Sequence, residues 1–415
     1  MLRSLLQGLE PYKVIYLDFD SFFASAEQQR RPELRGIPVG VCPFVSDTSC
    51  IVAASREAKQ RGIRTGMRVW EARKLAADLV CVRDTPSYYR AIHSETLQVL
   101  EDTPCRVYVR GIDEMGLVVP SYLRSVADVT SLAQNLKREL GRRLGDVVTV
   151  SIGVGPNSWL AKLAASYRKP DGMVILQPSQ YSDFYSNLRL LDLTGISYRM
   201  QRRLYDLGIY APIDLYRASE PYLRQHLGVH GSRWYLRMRG VEVDERPEQL
   251  KKSIGHQTTL APRPASSFDE LMSVVVKMML KIGYRLRATK RQARSMAVAV
   301  SFVGPGGWHN IARHLEPFGS QADLVRQAGR LIEPLRSQYE SVRRITVVTS
   351  DFVPAGQQSW LTETDVRSEA LSGALDTLRR RFGTRAVMTA SGMETDIFPD
   401  RIGFGAPEKL FLPEA

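Results

Sequence analysis

A chain of 415 residues is too long for one ordinary core and points to two to four domains. Its net charge of +13, with a pI near 9.6, favours a polyanionic partner while saying nothing by itself about catalysis. No apolar run approaches the ~18 residues of a membrane span, the start MLRSLLQGLEPYK is broken by Gln7 and Glu10 and is not read as a secretion signal, and Cys42, Cys50, Cys81 and Cys105 form no C-x-x-C pair, which excludes the usual zinc spacings and leaves free thiols in a reducing cytosol.

In chain order, Lys13 to Leu17 (KVIYL) reads as a buried strand ending in acidic residues, and Ser21 to Arg30 as a helix. Ile37 to Cys42 and Cys50 to Ala54 are strands, and Arg56 to Arg61 and Val69 to Ala77 are short helices around a Gly62–Gly66 turn. Cys105 to Val109 and Ile112 to Val119 suit a hairpin pivoting near Gly111, followed by a strand over Val147 to Gly153 and a helix over Ser158 to Tyr167. The order is not that of a dinucleotide-binding fold, and a mixed α+β domain is expected. From Gln177 to Glu245 the pattern is helical, and Arg246 to Lys252 reads as a polar linker. Beyond it, strands at Ser253 to Leu260, Ser295 to Val303, His309 to Leu315 and Arg344 to Ser350 alternate with helices at Phe268 to Thr289 and Ser320 to Gln338. That β-α-β-β-α-β order is the split βαβ arrangement. A helix over Val366 to Phe382 precedes a tail whose fold the sequence does not give.

Asp18 and Asp20 close the first strand, and the Asp113-Glu114 pair sits in the hairpin. Adjacent strand residues face opposite sides, so such a pair serves one site only at a turn, which Gly111 and Gly116 make feasible. Carboxylates crowded at a sheet end repel unless a cation lies among them. Hard oxygen ligands suit Mg²⁺ or Mn²⁺, and two such ions can clamp the attacking and leaving oxygens of phosphoryl transfer. Singly, each acid is as well explained as a turn residue or helix cap, Asp20 above all.

Taken with their surroundings, these residues resemble the Y-family DNA polymerases of the DNA polymerase IV type. LDFDSFFASAE (17 to 27) is similar to that family's D-x-D-x-F-[FY]-A-x-x-E motif, GIDE (111 to 114) to S-x-D-E, and SREAKQRGIRTGM (55 to 67) to Y-E-A-R-x-x-G-[VI]-x-x-G-M. VSIGVGPNSWLAKLAASYRKPDG (150 to 172) resembles the block ending in K-P-x-G, and the matches run in family order from about residue 13 to 350. The resemblance implies a right-hand α+β multidomain architecture: palm over 1–30 and 78–176, small fingers over 31–77, a helical thumb over 177–245, a linker over 246–252, a split-βαβ little finger over 253–355 and a C-terminal extension over 356–415.

It further implies that Asp18, Asp113 and Glu114 are catalytic and hold two Mg²⁺ ions, for which Mn²⁺ substitutes, with the carbonyl of Phe19 completing the nucleotide-side site. Phe22 and Phe23 fall at the nucleotide-binding site, Phe23 as the steric gate that excludes a ribose 2′-hydroxyl and Phe22 beside it as the core aromatic. Arg56, Lys59 and Lys169 fall where the family contacts the triphosphate. Only Lys169 is the usual residue: Arg56 replaces a tyrosine and Lys59 an arginine, and Arg56 is read as restoring the fork that lysine lacks. Gly111 replaces serine, Met115-Gly116 replaces alanine-tyrosine, and Ser158 replaces lysine. The expected partners are primer–template DNA and dNTP, met by a monomer in the bacterial cytoplasm.

For DNA, TGIS (194 to 197) stands for the helix-hairpin-helix turn, with Arg199, Arg202 and Arg203 supplying charge. KSIGHQTTL (252 to 260) resembles the opening little-finger strand, and Lys277 to Arg294 carries seven basic residues and no acid. Lys251, Lys252, Lys290, Arg291 and Arg294 are the expected phosphate contacts in this part. Leu410-Phe411-Leu412 resembles the peptides that dock polymerases on a sliding clamp, with Pro407 in place of the usual glutamine; packing on its own domain explains it equally well. Two other functions stay open on sequence grounds: a catalytically silent homologue acting as a DNA-binding adaptor, and a nucleotidyl cyclase on a related palm.

Overall fold

The computed structural model describes residues 8–243, 252–260, 263–355, 363–382 and 387. The chain divides between Pro247 and Glu248 into two compact units. In the first, the strands are β1 (Val14–Phe19), β2 (Val39–Cys42), β3 (Ala53–Ala54), β4 (Val80–Arg83), β5 (Arg106–Val109), β6 (Glu114–Val118), β7 (Val150–Gly155) and β8 (Met173–Ile175). Five form a sheet of order β5-β6-β1-β7-β8, antiparallel except for the β7–β8 pair.

β1 lies at the centre and is buried on both faces, which is why it reads as a near-continuous apolar run. Alternation sends Ile15, Leu17 and Phe19 into a core shared with the helices Pro86–Glu101 and Val126–Leu144, through Tyr89, Ile92, Val129, Leu136 and Leu140. Neither helix is foreseen in the sequence reading. Val14 and Tyr16 point the other way, against Ala161 and Ala165 of the helix Ser158–Tyr167. Gly153 permits that approach, since a Cβ there would stand 2.0 Å from the Ala161 carbonyl oxygen.

A second sheet, β3-β2-β4, carries its own core of Cys42, Ile51, Ala58, Ile63 and Val69. Its last strand, β4, pairs in parallel with β2 and lies beyond the residue-77 boundary read from the sequence. The helical region packs Leu193, Ile196, Leu204, Leu215, Leu223 and Trp234 around Trp159 and Leu163 of the helix Ser158–Tyr167.

The second unit has strands β9 (Ser253–Thr259), β10 (Arg291–Phe302), β11 (Gly307–Phe318) and β12 (Val342–Pro354), in the order β11-β10-β12-β9. Each helix-linked pair has one strand inserted between its members, so the split βαβ expectation holds. The helices Phe268–Ala288 and Gln321–Ile332 cover one face. The helix Glu363–Phe382 packs on this unit through Arg287–Asp376, Gln292–Glu369 (2.7 Å) and the Gln321 amide donating to Ser372 (3.0 Å). The expected linker falls largely outside the described residues, as do the clamp-like tail and Lys251.

Candidate active site

The site forms where β1 ends. Asp18 and Glu114 are direct cross-strand partners, and two residues that face each other across a ladder project to the same side. Asp113 sits in the turn before β6: the amides of Arg110 and Gly111 both donate to the Glu114 carbonyl, at 3.0 and 3.1 Å, and the Phe19 amide donates to the Asp113 carbonyl at 3.1 Å. Gly111 therefore belongs to the turn, as expected. Gly116 does not. It lies inside β6, paired with Tyr16 and Tyr108.

The three acids feel one another. Burial pushes the Asp113 carboxyl up to about 6, with the charges of Glu114 and Asp18 adding to it. Asp18 is raised by burial despite the opposing charge of Lys169. Among the described residues no three acidic, histidine or cysteine side chains are grouped so as to hold a metal ion. Asp18 and Glu114 are instead each closed by an ammonium. Lys169 bonds the Asp18 carboxylate and the Phe19 carbonyl (3.2 Å), and Lys162 bonds both Glu114 oxygens at 2.6 and 2.7 Å. The hydroxyl of Tyr16 also donates to Glu114, at 3.0 Å. Positive groups thus occupy the very oxygens, Asp18 and the Phe19 carbonyl, that the sequence assigns to a divalent ion. The donors are all hard oxygen, which is the chemistry that such an ion takes.

Asp20 has another task. Its oxygens accept from Thr149 and Ser151 (2.8 Å each) and from the Asp171 amide (2.7 Å), which ties the Lys169–Gly172 turn to the sheet. Ser21 makes the turn into the next helix in a left-handed conformation, φ 53°. On that helix Phe22 and Phe23 are buried. Phe23 is 1% exposed and stacks on Tyr89, ring centroids 4.4 Å apart, while Tyr89 donates to Glu27 at 2.6 Å. Lys59 and Arg56 share the short helix Arg56–Gln60, capped by Ser55. Lys59 is exposed as a whole residue, but burial of its ammonium end lowers its pKa first, Lys169 lowers it further, and Asp20 and Asp18 oppose. Lys59 therefore shares the electrostatic field of the carboxylates, while Arg56 is exposed.

Arg199, Arg202, Arg203, Lys252 and Lys290 are exposed. Arg291 is not: 8% exposed, its guanidinium lies 5.6 Å from the Phe352 ring, so it serves packing in this structure. Arg294 is half-buried with its Nε unpartnered, and Arg287 is taken by Asp376. The acid-free run is thus not one open cationic face. A helix supplies no acid of its own when the acid comes from elsewhere in the unit.

Residues 17–166 match the impB/mucB/samB family and residues 251–360 match that family's C-terminal domain. The chain is 32% identical over 385 residues to DNA polymerase IV of Moorella thermoacetica, covering 91% of this chain and 95% of that protein. It is 30% identical over 387 residues to DNA polymerase IV of Pelotomaculum thermopropionicum, covering 91% and 94%. The chain belongs to the Y-family DNA polymerases. In fold it is similar to a Y-family polymerase chimera of Dbh and Dpo4, with a TM-score of 0.68 at 24% identity, covering 82% of this chain and 99% of that one. As a member of this family it is a DNA-directed DNA polymerase. The residues that sequence reasoning passed over in this polymerase are Tyr16, Lys162 and Tyr89. Lys162 lies on the helix Ser158–Tyr167 and Lys169 beyond its end, so no helical spacing links the two and no local signal marked Lys162.

Proposed function

We propose that this polymerase is a template-directed, error-prone translesion enzyme that adds dNTPs to a primer 3′-hydroxyl through two divalent ions. The observation that carries this is the cation-binding arrangement of Asp18, the Phe19 carbonyl and Glu114 at one sheet edge, with Asp113 raised to about 6 beside them. Asp18, Asp113, Glu114 and the Phe19 carbonyl would hold Mg²⁺, or Mn²⁺ in its place. Bound there, the ions would acidify the primer hydroxyl and offset negative charge on the phosphates.

The rest falls to the chain. The 3′-oxygen attacks the α-phosphorus, the bond from that phosphorus to the bridging oxygen breaks, pyrophosphate departs, and the hydroxyl proton is lost to solvent. Lys169 and Lys59 neutralise the leaving group, which requires Lys169 to release Asp18 as nucleotide enters. Arg56 adds a two-pronged donor from the next turn of the helix. Phe23, braced from behind by Tyr89, sets the limit on the sugar's 2′ position. The exposed arginines 199, 202 and 203, with Lys252 and Lys290, bind phosphates and give affinity without sequence preference. The protein acts as a monomer, and the tail bearing Leu410, Phe411 and Leu412 docks on a sliding clamp.

Error tolerance follows from the small fingers, where the side chains near the expected nascent base pair, Cys50 and Val52, are small and leave room for a damaged template. Primer extension on undamaged and abasic templates, with dNTPs and rNTPs in parallel, tests the reading. Bypass of the abasic site with frequent misinsertion on intact template is expected. High fidelity with complete stalling at the lesion would contradict it.

A further inference from the structure

Directly beneath the carboxylates the sheet carries a row that alternates tyrosine with glycine: Tyr108, Gly116, Tyr16 and Gly153 are successive cross-strand partners on β5, β6, β1 and β7. A Cβ on Gly116 would stand 2.1 Å from Cζ of Tyr108, so the Tyr108 ring lies flat across β6 at the place where no side chain projects. Gly153, in the same row, lets the helix Ser158–Tyr167 rest on β7. The Tyr108 hydroxyl then reaches that helix, donating to Ser158 at 2.9 Å. Ser158 is itself pinned, its amide and hydroxyl both donating to Glu242 at 2.8 Å.

Tyr16, the next ring in the row, packs in the same cluster as Tyr108, and its hydroxyl is the one that meets Glu114. The Lys162 ammonium lies 5.8 Å above the Tyr16 ring and bonds the same carboxylate. Two departures from the family pattern, glycine at 116 and serine at 158, are thus explained by one residue. The aromatic ring that position 116 lacks arrives from the neighbouring strand, and its hydroxyl finds a partner only because position 158 is serine. A ring held on both sides cannot drift, and what it confines is the phenol that orients an acidic ligand.

We infer that Tyr108 is a positioning residue: seated on Gly116, it confines Tyr16, and Tyr16 fixes the orientation of Glu114. The inference rests on the assignment of Glu114 to the polymerase centre. The test uses the full chain and three variants: Tyr108→Ala, Gly116→Ala, and the double exchange Tyr108→Ala with Gly116→Tyr. Mn²⁺ binding is titrated calorimetrically without nucleotide, and primer extension is followed separately. Tyr108→Ala weakens Mn²⁺ binding and lowers kcat, each about tenfold, with the nucleotide KM within about twofold. Gly116→Ala keeps every functional group but evicts the ring, so it reproduces that loss and stands in should Tyr108→Ala fail to fold. The double exchange returns a ring to the row from the other strand and recovers most of both quantities. Wild-type Mn²⁺ affinity in either single variant, or a double exchange no better than Tyr108→Ala, overturns the inference while primer extension by the parent chain leaves the polymerase reading standing. A parent chain that binds Mn²⁺ yet extends no primer would remove the polymerase reading instead.

Discussion

Single side chains at the end of β1 are asked to do opposite things. Asp18 is 8% exposed and must carry charge, and the structure meets that demand with Lys169. Asp113 has no such partner bond, and burial with two acidic neighbours holds it near 6. Because that value lies above the ordinary carboxylate range, the metal-free fold is favoured by a protonated Asp113. Stability from this group is therefore fully present at low pH and is lost as pH rises through about 6. A divalent ion reverses the sign by favouring the charged form. Thermal unfolding should consequently show a Mg²⁺ stabilisation that grows between about pH 5 and about pH 8. A flat increment across that range would mean that Asp113 is not among the ligands. Phe23 gives a second prediction at this scale. Its stack on Tyr89 leaves the ring no room to retreat, so Phe23→Val should raise ribonucleotide incorporation by about tenfold or more. Unaltered sugar discrimination would place Phe23 in the core with no further task. The carboxylates were legible in the sequence because short motifs name them. Lys162 and Tyr16 were not, since a lysine on a helix and a tyrosine in a strand carry no chemical signature until the sheet brings them to Glu114.

At the scale of elements, the site depends on how closely the helix Ser158–Tyr167 lies on the sheet. Asn157 caps that helix, accepting from Leu160 at 2.7 Å while donating to the Arg237 and Val241 carbonyls. Gly153 sets the distance. Gly153→Ala forces helix and strand apart, and a cost of about 3 kcal/mol is expected from overpacking. Because Lys162 rides on the helix, extension should fall in the same variant. Chemical denaturation measures the first effect, and a loss below about 1 kcal/mol would show that the helix can lift without cost. Most strands were legible as short β-branched runs, whereas β4 and β8, short and only partly buried, were not read. The helix Pro86–Glu101 was missed for a physical reason: its buried positions, such as Tyr89, Ile92, His93, Thr96 and Val99, mix polar with apolar side chains, and this hides the helical period. In Val126–Leu144 the buried Val129, Ala133, Leu136, Leu140 and Leu144 keep that period, so the signal was present and was passed over. The turn at Gly111 was read correctly, whereas Gly116 was taken for a second turn glycine. Its role depends on Tyr108, eight residues away, which no local pattern reveals.

For the whole molecule, the excess of positive charge is less freely available than composition suggests. Arg287 is committed to Asp376 and Arg291 is buried, so of the phosphate contacts expected from the sequence Arg199, Arg202, Arg203, Lys252 and Lys290 are the exposed ones among the described residues. The split βαβ unit was legible as a segment, but which of its basic side chains remain exposed was not, because pairing is decided by elements far along the chain. The helix Glu363–Phe382 illustrates this, bringing Asp376 and Glu369 back to neutralise and fasten the very run that looked acid-free.

Every part of the catalytic reading depends on acids brought together from the first strand and the hairpin. The most direct measurement is primer extension by Asp113→Ala beside the parent chain, with Mg²⁺ and with Mn²⁺, together with DNA affinity on the same primer–template. Loss of a ligand should lower extension by well over a hundredfold, roughly 3 kcal/mol or more of transition-state stabilisation, while DNA affinity stays within about twofold. Extension within about tenfold of the parent chain would contradict the assignment of Asp113, and with it the two-ion centre proposed at this sheet edge.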